Sequence, residues 1–430
     1  MSAPTDSLPG SPAANSHRGF WSLIATQFQG AFSDNALKNL VILLILDAGL
    51  SATATNRLVP AVLVLFSLPF ILFSMAGGDL ADRYNKRSVT IGLKLMEIAI
   101  AVLALAGLAF GNLPMELAAI FLLSTQAALF GPSKYGLLPE LLAERELSWG
   151  NGVLELGTFL AILTGTVAAG YMADTFRGRQ GWSGAVLIGL ALAGLAASVG
   201  IARVPAADPA RRLRLNFVGE LAKAIALARR DHLLWQAILG NAFFWFVGGL
   251  LQPVVILYGH EALRLSDSHN TWLQAALAVG IGAGSVAAGY LSVGEIEYGL
   301  VPLGSLGLAG ASAWLAFGGP AFTPVLLRLA LLGFFGGIFS VPVLAMVQHR
   351  PARKTRGTVL AAANLLSFVG IFLAGGAYYA LIGVAHLSFR QVFLANAAMN
   401  LALTAYALLA VEGCAKRMAR WCKIWLLRSS

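Results

Sequence analysis

Stretches of roughly 20 apolar residues, the length a helix needs to cross hydrocarbon about 30 Å thick, recur along this chain from Trp21 to Val411. Nothing else in the sequence restricts the fold so strongly. Lipid offers no partner for an unpaired backbone amide or carbonyl, so such segments cross as helices or not at all. A membrane β-barrel would read as short alternating segments, which long runs such as Leu58–Ala76 exclude. Only 12% of the 430 residues are charged and 58% are hydrophobic, and a soluble domain carries about twice that charged share. The apolar runs place spans at 20–46, 59–81, 88–110, 115–138, 150–173, 182–203, 234–257, 271–293, 298–318, 322–347, 357–382 and 389–411. Gly and Pro mark turns between them, as at Gly111–Pro114 and Gly318–Pro320. The expected fold is an all-α membrane protein of twelve transmembrane helices in two six-helix bundles, 20–203 and 233–413. The polar segment 1–19 is expected to be a disordered tail. It lacks the short uninterrupted core of a cleavable signal, because the apolar stretch after it carries Asp34 and Lys38.

Lysine and arginine set the orientation. With the N-terminus inside, the outer loops hold only Arg57, Arg177, Arg179, Arg264 and Arg390, and the other loops and tails carry most of the remaining cations. Cytoplasmic loops are the positive ones, so both termini are expected in the cytoplasm. The net charge of +10 then reads as attraction to anionic lipid rather than to nucleic acid. The segment 204–232 is a cytoplasmic linker between the bundles. Leu213–Arg230 within it is either an amphipathic helix on the inner surface or a solvated connector. The basic tail 414–430 reads as a surface-lying helix. Its two cysteines, Cys414 and Cys422, form neither a disulfide framework nor a metal spacing.

The bundles echo each other. Asn151, Gly157, Phe159, Leu160 and Ala161 recur at the same spacing as Asn364, Gly370, Phe372, Leu373 and Ala374, and spans four and ten each carry a late proline, Pro132 and Pro342. That pattern suggests a duplicated six-helix unit. After span two comes Gly78-Asp-Leu-Ala-Asp82-Arg83-Tyr-Asn85-Lys86-Arg87. Asp82 there can accept from a helix N-terminus and pair with a cation on a neighbouring helix, a latch that releases when the bundles rock. Asn85 is expected in a left-handed turn. The corresponding loop after span eight, Gly289 to Glu295, keeps little of the pattern, so the latch is one-sided.

Ionisable residues inside a membrane usually face a cavity or a partner. Asp34 and Lys38 stand one turn apart in span one, beside Asn35. They form either a neutralising pair or part of a binding site. Lys94 and Glu97 in span three have the same two readings. Gln126 lies deep in span four, and Lys134 follows Gly131-Pro132 nearer its inner end, where a cation suits a phosphate-bearing substrate. Glu155 opens span five and could instead pair with Lys134. Arg328 is expected to snorkel to the outer surface. The C-terminal bundle offers Asn241, Gln252, Gln274, Asn364, Asn396 and Asn400, most of which interhelical hydrogen bonding accounts for. The charge asymmetry assigns the polar end of a substrate to the N-terminal bundle and leaves apolar walls in the other, the arrangement an amphiphile wants.

The loop Gly78–Arg87 resembles the signature loop G-x-L-A-D-R-x-G-R-R of the major facilitator superfamily, departing at Asn85 and conservatively at Lys86. The resemblance implies that fold, with Gly78, Asp82, Arg83, Lys86 and Arg87 in gating. A closer likeness is to the bacterial lysophospholipid transporter family. It rests on Ala31-Phe-Ser-Asp34-Asn35-Ala-Leu37, Gly92-Leu-Lys94-Leu95, Pro132-Ser-Lys134-Tyr135-Gly136, Asn151-Gly-Val-Leu-Glu155 and Gly336-Gly-Ile-Phe-Ser-Val-Pro342. It implies a flippase-like carrier in the bacterial inner membrane that moves lysophospholipids, chiefly lysophosphatidylethanolamine, from the outer to the inner leaflet. There a separate acyltransferase partner restores the missing chain. It also implies a headgroup site containing Asp34, Asn35 and Lys134, to which position and polarity add Lys38, Lys94, Glu97, Gln126, Tyr135, Glu155 and Gln252. The chain departs from the family at Gln252, where a basic residue is usual.

The rival transport function is a proton-coupled exporter of drugs or small metabolites, with Asp34 or Glu97 as its titrating carboxylate. Enzymatic chemistry is not expected. None of the six histidines is followed five positions later by Asp, and neither a G-x-x-x-x-G-K-[ST] loop nor a G-x-S-x-G elbow occurs. No cofactor, metal or nucleic-acid partner is implied.

Overall fold

The computed structural model describes residues 15–210, 217–292, 295–411 and 413–428. The described chain is helical. The N-terminal bundle contains α1 (Asn15–Asp47), α2 (Ala52–Arg83), α3 (Lys86–Phe110), α4 (Leu113–Leu141), α5 (Leu147–Thr175) and α6 (Gly181–Val199). A short linker helix, α7 (Phe217–Ala228), precedes the second bundle. That bundle contains α8 (His232–Glu261), α9 (Asp267–Leu291), α10 (Leu300–Phe317), α11 (Phe322–His349), α12 (Arg356–Tyr378, continued by a π-helical turn at Tyr379–Val384) and α13 (Phe389–Ala410). The C-terminal helix α14 spans Cys414–Arg428. Most of the 1–19 tail, and the linker arginines Arg211, Arg212 and Arg214, lie outside the described residues.

Local chemistry sets the helix ends. The side chains of Asn112 and Asp231 accept amide hydrogen bonds from Met115 and Leu234 at 3.1 Å each, the usual cap of a helix start. Ser388 and Gln391 form a reciprocal capping box at the start of α13. Asn85 departs from the left-handed expectation. Its φ is −59°, and its side chain accepts from the amides of Arg87 at 2.9 Å and Ser88 at 3.3 Å. Asparagine stands where the family has glycine because the residue caps α3.

Among the described residues, eleven helices are long and apolar enough to cross a membrane. The twelfth span, α1, has 33 residues but falls short in hydropathy, because Gln27, Gln29, Asp34, Asn35, Lys38 and Asn39 crowd its middle. Its polar residues are largely turned inward, and Gln27, Gln29 and Asn35 are buried.

Two helix crossings join the bundles, and they are related by the internal repeat. The second helix of each bundle packs on the fifth of the other: α2 on α12, and α9 on α5. Both crossings need small residues. A Cβ on Gly78 would stand 2.8 Å from the carbonyl oxygen of Gly357, and one on Gly152 would stand 2.4 Å from that of Ser285. Contact this close between backbones is how membrane helices associate without a hydrophobic driving force.

Arg328 does not snorkel. It is 7% exposed, donates to the carbonyl of Gly319 at 2.8 Å and lies over the Trp314 ring. Folding back onto the α10–α11 turn gives it acceptors that the lipid does not. The tail helix α14 docks against the bundle, with the Trp421 indole donating to the Leu291 carbonyl at 2.9 Å.

Candidate functional site

The buried charges of the N-terminal bundle fall into two groups that the sequence does not separate. The first is closed. Lys94 donates to Glu97 Oε2 at 2.6 Å and to Gln29 Oε1 at 2.7 Å. Gln29 donates to Glu97 Oε1 at 2.8 Å and to Ser33 at 2.9 Å. Gln126 donates to Glu97 Oε2 and to the Leu93 carbonyl, each at 3.3 Å. Lys94 and Glu97 are 1% and 2% exposed. Lys94, Glu97 and Gln126, three of the residues expected at the substrate site, are thus brought together in an internal network joining α1, α3 and α4. A buried pair persists when its remaining hydrogen-bonding capacity is filled, and here the two glutamines fill it.

The second group is open. Asp34 on α1 is half-buried and lies within electrostatic reach of Lys134 on α4, of Lys38, and of the closed network behind it. Lys134, also half-buried, reaches both Asp34 and Glu155 on α5, and its ammonium sits over the ring of Tyr135, 4.4 Å from the centroid. Among the described residues, Asp34, Lys134 and Glu155 have no hydrogen-bond or ion-pair partner within the chain. Lys38 is held differently. It donates to Asn35 Oδ1 at 2.9 Å and lies over the Phe66 ring, while Asn35 donates to the Ala31 carbonyl. Asn35 therefore aims Lys38 rather than presenting a free amide.

This open cluster borders the seam between the bundles. Gly131 and Gly136 flank Lys134 on α4, and Cβ atoms there would lie 3.9 Å from Asn364 and 3.7 Å from Leu360, both on α12. Leu156, next to Glu155, packs against Gly282 of α9. Three charges without partners, drawn from three helices and facing a seam, make a site with both signs of charge, suited to a zwitterionic group.

Across the seam, several of the buried asparagines hydrogen-bond within their own bundle, while Gln274 Nε2 on α9 has no hydrogen-bond partner among the described residues. Asn241 donates to Ser367 at 2.7 Å, Asn396 to Ser312 at 2.7 Å, and Asn400 to the Asn396 carbonyl at 2.9 Å. Gln252 sits at an exposed position on α8, before Pro253. Beside it is a small apolar cavity of about 60 Å³ lined by Phe243, Phe244, Leu251, Ile281, Leu332 and Phe339.

The bundles are locked on the side that carries the termini. Asp82 accepts from the amides of Gly357 at 2.7 Å and Thr358 at 3.0 Å, and from the Thr358 hydroxyl at 2.8 Å. A fully buried carboxylate thus caps α12 from the other bundle. Gly78 lets α2 approach closely enough for this. The remaining residues of the loop brace the N-terminal bundle. Lys86 pairs with Glu140 at 2.7 Å, Arg87 donates to the Val199 carbonyl at 2.7 Å, and Arg83 lies over Tyr84. Sequence reasoning missed a second lock, the reciprocal amide pair of Asn151 and Gln348, at 2.9 and 2.7 Å. The repeat of Asn151 at Asn364 was its visible signal, since Asn364 also crosses the seam, donating to Ser74 at 3.0 Å. Farther along the same helices Phe70 stacks on Phe368, 4.3 Å between centroids.

A family described as the Major Facilitator Superfamily matches residues 23–375. The lysophospholipid transporter LplT of Cronobacter sakazakii is 31% identical over 377 residues, covering 84% of this chain and 88% of that protein. The one from Salmonella paratyphi B is 32% identical over 369 residues, covering 84% and 87%. Among solved structures, the human organic anion transporter MFSD10 superposes with a TM-score of 0.76 at 15% identity, over 92% of this chain and 99% of that one. The transporter FucP gives 0.72 at 12% identity, over 90% and 97%. These structural likenesses establish the twelve-helix fold.

Proposed function

The chain belongs to the lysophospholipid transporter family of the major facilitator superfamily, and on that premise we propose that it moves lysophosphatidylethanolamine from the outer to the inner leaflet of a bacterial inner membrane, with both termini cytoplasmic. The observation that carries this reading is the trio Asp34, Lys134 and Glu155, charged residues of both signs on three helices with no hydrogen-bond or ion-pair partner among the described residues. A phosphodiester meets Lys134, an ammonium meets Asp34 or Glu155, and the single acyl chain lies along apolar α8 and α11. Charge-assisted contacts in a low-dielectric site are the strong ones.

The mechanism is rocking of the bundles about the seam. With the termini in the cytoplasm, the Asp82 and Asn151–Gln348 locks hold the bundles together on the inner side, as an outward-opening state of the carrier requires. The amphiphile enters sideways, its headgroup replacing hydration with the trio. Breaking the Asp82 cap of α12 then exposes it inward, where a separate acyltransferase consumes it.

The test is leaflet-resolved uptake of labelled lysophosphatidylethanolamine into spheroplasts with and without the protein. Protein-dependent inward movement that persists after the proton gradient is collapsed is the expected result. Uptake independent of the protein would overturn the substrate, and uptake abolished by an uncoupler would favour the proton-coupled exporter.

A further inference from the structure

Two cavities meet on the face that carries the termini, on the far side of the Asp82 lock from the charge trio. The first is a polar cleft of about 840 Å³. Its walls carry the carboxylates of Glu144, Asp231 and Glu295 and the guanidinium groups of Arg145, Arg350 and Arg417. The second is an apolar pocket of about 300 Å³ between α8, α10, α11 and α13, lined by Gly240, Phe243, Phe339, Val343, Leu403 and Ala407 among others. They share Leu233, Tyr298 and Met346, so the apolar pocket opens directly from the polar cleft. Both sizes lie within the range of ligand sites.

The cleft is organised. Arg350 pairs with Asp231 at 2.7 Å, and Arg417 pairs with Glu295 at 3.3 Å while lying over the Tyr298 ring. Partial burial raises the Asp231 carboxyl, but the Arg350 hydrogen bond and the Leu234 amide outweigh it and hold the group below the ordinary carboxylate range. On the lipid side the pocket is rimmed by Leu239 and Tyr406, both exposed, and Gln236 bridges α8 to α13 by donating to the Tyr406 hydroxyl at 3.2 Å.

We infer that this joined cleft and pocket form a second amphiphile site, which takes a single-chain zwitterionic phospholipid with its headgroup among Glu144, Arg350 and Arg417 and its chain between α8 and α13. The class of ligand rests on the lysophospholipid reading above. Cations and carboxylates alternate around the cleft, which suits a headgroup bearing both charges, and the pocket mouth leads to the lipid on the side where a transported molecule leaves. Ala143, Glu144 and Arg145 belong to the N-terminal bundle and the rest of the cleft to the other, with Glu144 3.5 Å from His349 across the seam. A bound lipid therefore spans both bundles and favours the locked conformation over the rocked one.

The test measures binding of radiolabelled dodecanoyl-lysophosphatidylethanolamine, below its micelle concentration, to the full chain in nanodiscs. Wild type is expected to bind two equivalents. Gly240→Phe should lose one, because a Cβ there meets Val343 and Phe339 only at 3.6–3.8 Å and the ring beyond it fills the pocket. Asp34→Ala/Lys134→Ala should lose the other. Two equivalents retained by Gly240→Phe would overturn this site and leave the seam site standing. Two retained by Asp34→Ala/Lys134→Ala, with one lost in Gly240→Phe, would overturn the seam site instead. Should Gly240→Phe not fold, a photoreactive acyl chain on wild type decides: adducts on 233–243 and 403–411 are expected, and their absence overturns the inference.

Discussion

The two bundles share a repeated sequence pattern and a crossing geometry, yet they differ in the charges they bury. In the C-terminal bundle Asn241, Asn396 and Asn400 each find a neighbour on an adjacent helix or turn. In the N-terminal bundle the Lys94–Glu97 network is equally closed, but Asp34, Lys134 and Glu155 stay open at the seam. A charge left without a partner where lipid surrounds the helices costs several kcal/mol on insertion scales. A chain retains such charges when something else fills their valence. The lesson is that, among the charges buried within the spans of the N-terminal bundle, partnership separates the two groups and depth in the membrane does not.

The sharpest way to break that comparison is to remove the open charges. Asp34→Ala or Lys134→Ala should lower uptake on the order of 100-fold, the scale of about 2–3 kcal/mol for a lost charge contact. Thermal unfolding in detergent should shift little, because no partner inside the chain is stranded. Equal uptake by either variant and wild type would erase the distinction between the open and closed groups.

The converse change comes next. Glu97→Ala strands a buried ammonium and should destabilise the protein by about 3–5 kcal/mol, read as a lowered melting temperature. The double variant Lys94→Met/Glu97→Leu should recover most of it. Recovery of transport in that double variant would show that the network supports the site without touching the cargo.

A smaller effect belongs to the lock. Asp82→Asn keeps the shape but weakens three bonds to α12, and should move the equilibrium between locked and rocked states by about 1–3 kcal/mol. Spin-label distances across the side bearing the termini should lengthen. An unchanged distance distribution would reduce Asp82 to a local helix cap.

The smallest effect is expected in the C-terminal bundle. Asn396→Ala should cost about 0.6 kcal/mol, the average for a hydrogen bond between membrane helices, and leave uptake as it was. Uptake lost without a fall in stability would mean that this bundle also reads the headgroup.

Much of the architecture was legible in the chain itself. Apolar length located the spans, because a bilayer accepts few alternatives to a helix, and Gly78 to Asp82 announced a contact that the structure completes at Gly357 and Thr358. The site was legible only in part. Lys94 and Lys134 are both cations on apolar helices with a glycine close by, and nothing in their own segments says that Gln29 hydrogen-bonds one while the other has no hydrogen-bond partner among the described residues and lies over the Tyr135 ring. That depends on helical phase and on which neighbour faces it. Asn85 misled because its family position is glycine and capping leaves φ negative. Gln348 escaped notice because a polar residue at the inner end of a span has an ordinary explanation in the adjoining turn.

The central claim, that the N-terminal bundle holds the headgroup, is tested most directly by lysophosphatidylethanolamine carrying a photoreactive group on its ethanolamine nitrogen. Cross-linking to the Gly240→Phe variant, followed by peptide mapping, should place adducts on the segments bearing Asp34 and Lys134. Adducts confined to α8–α13, with both of those segments unlabelled, would contradict it.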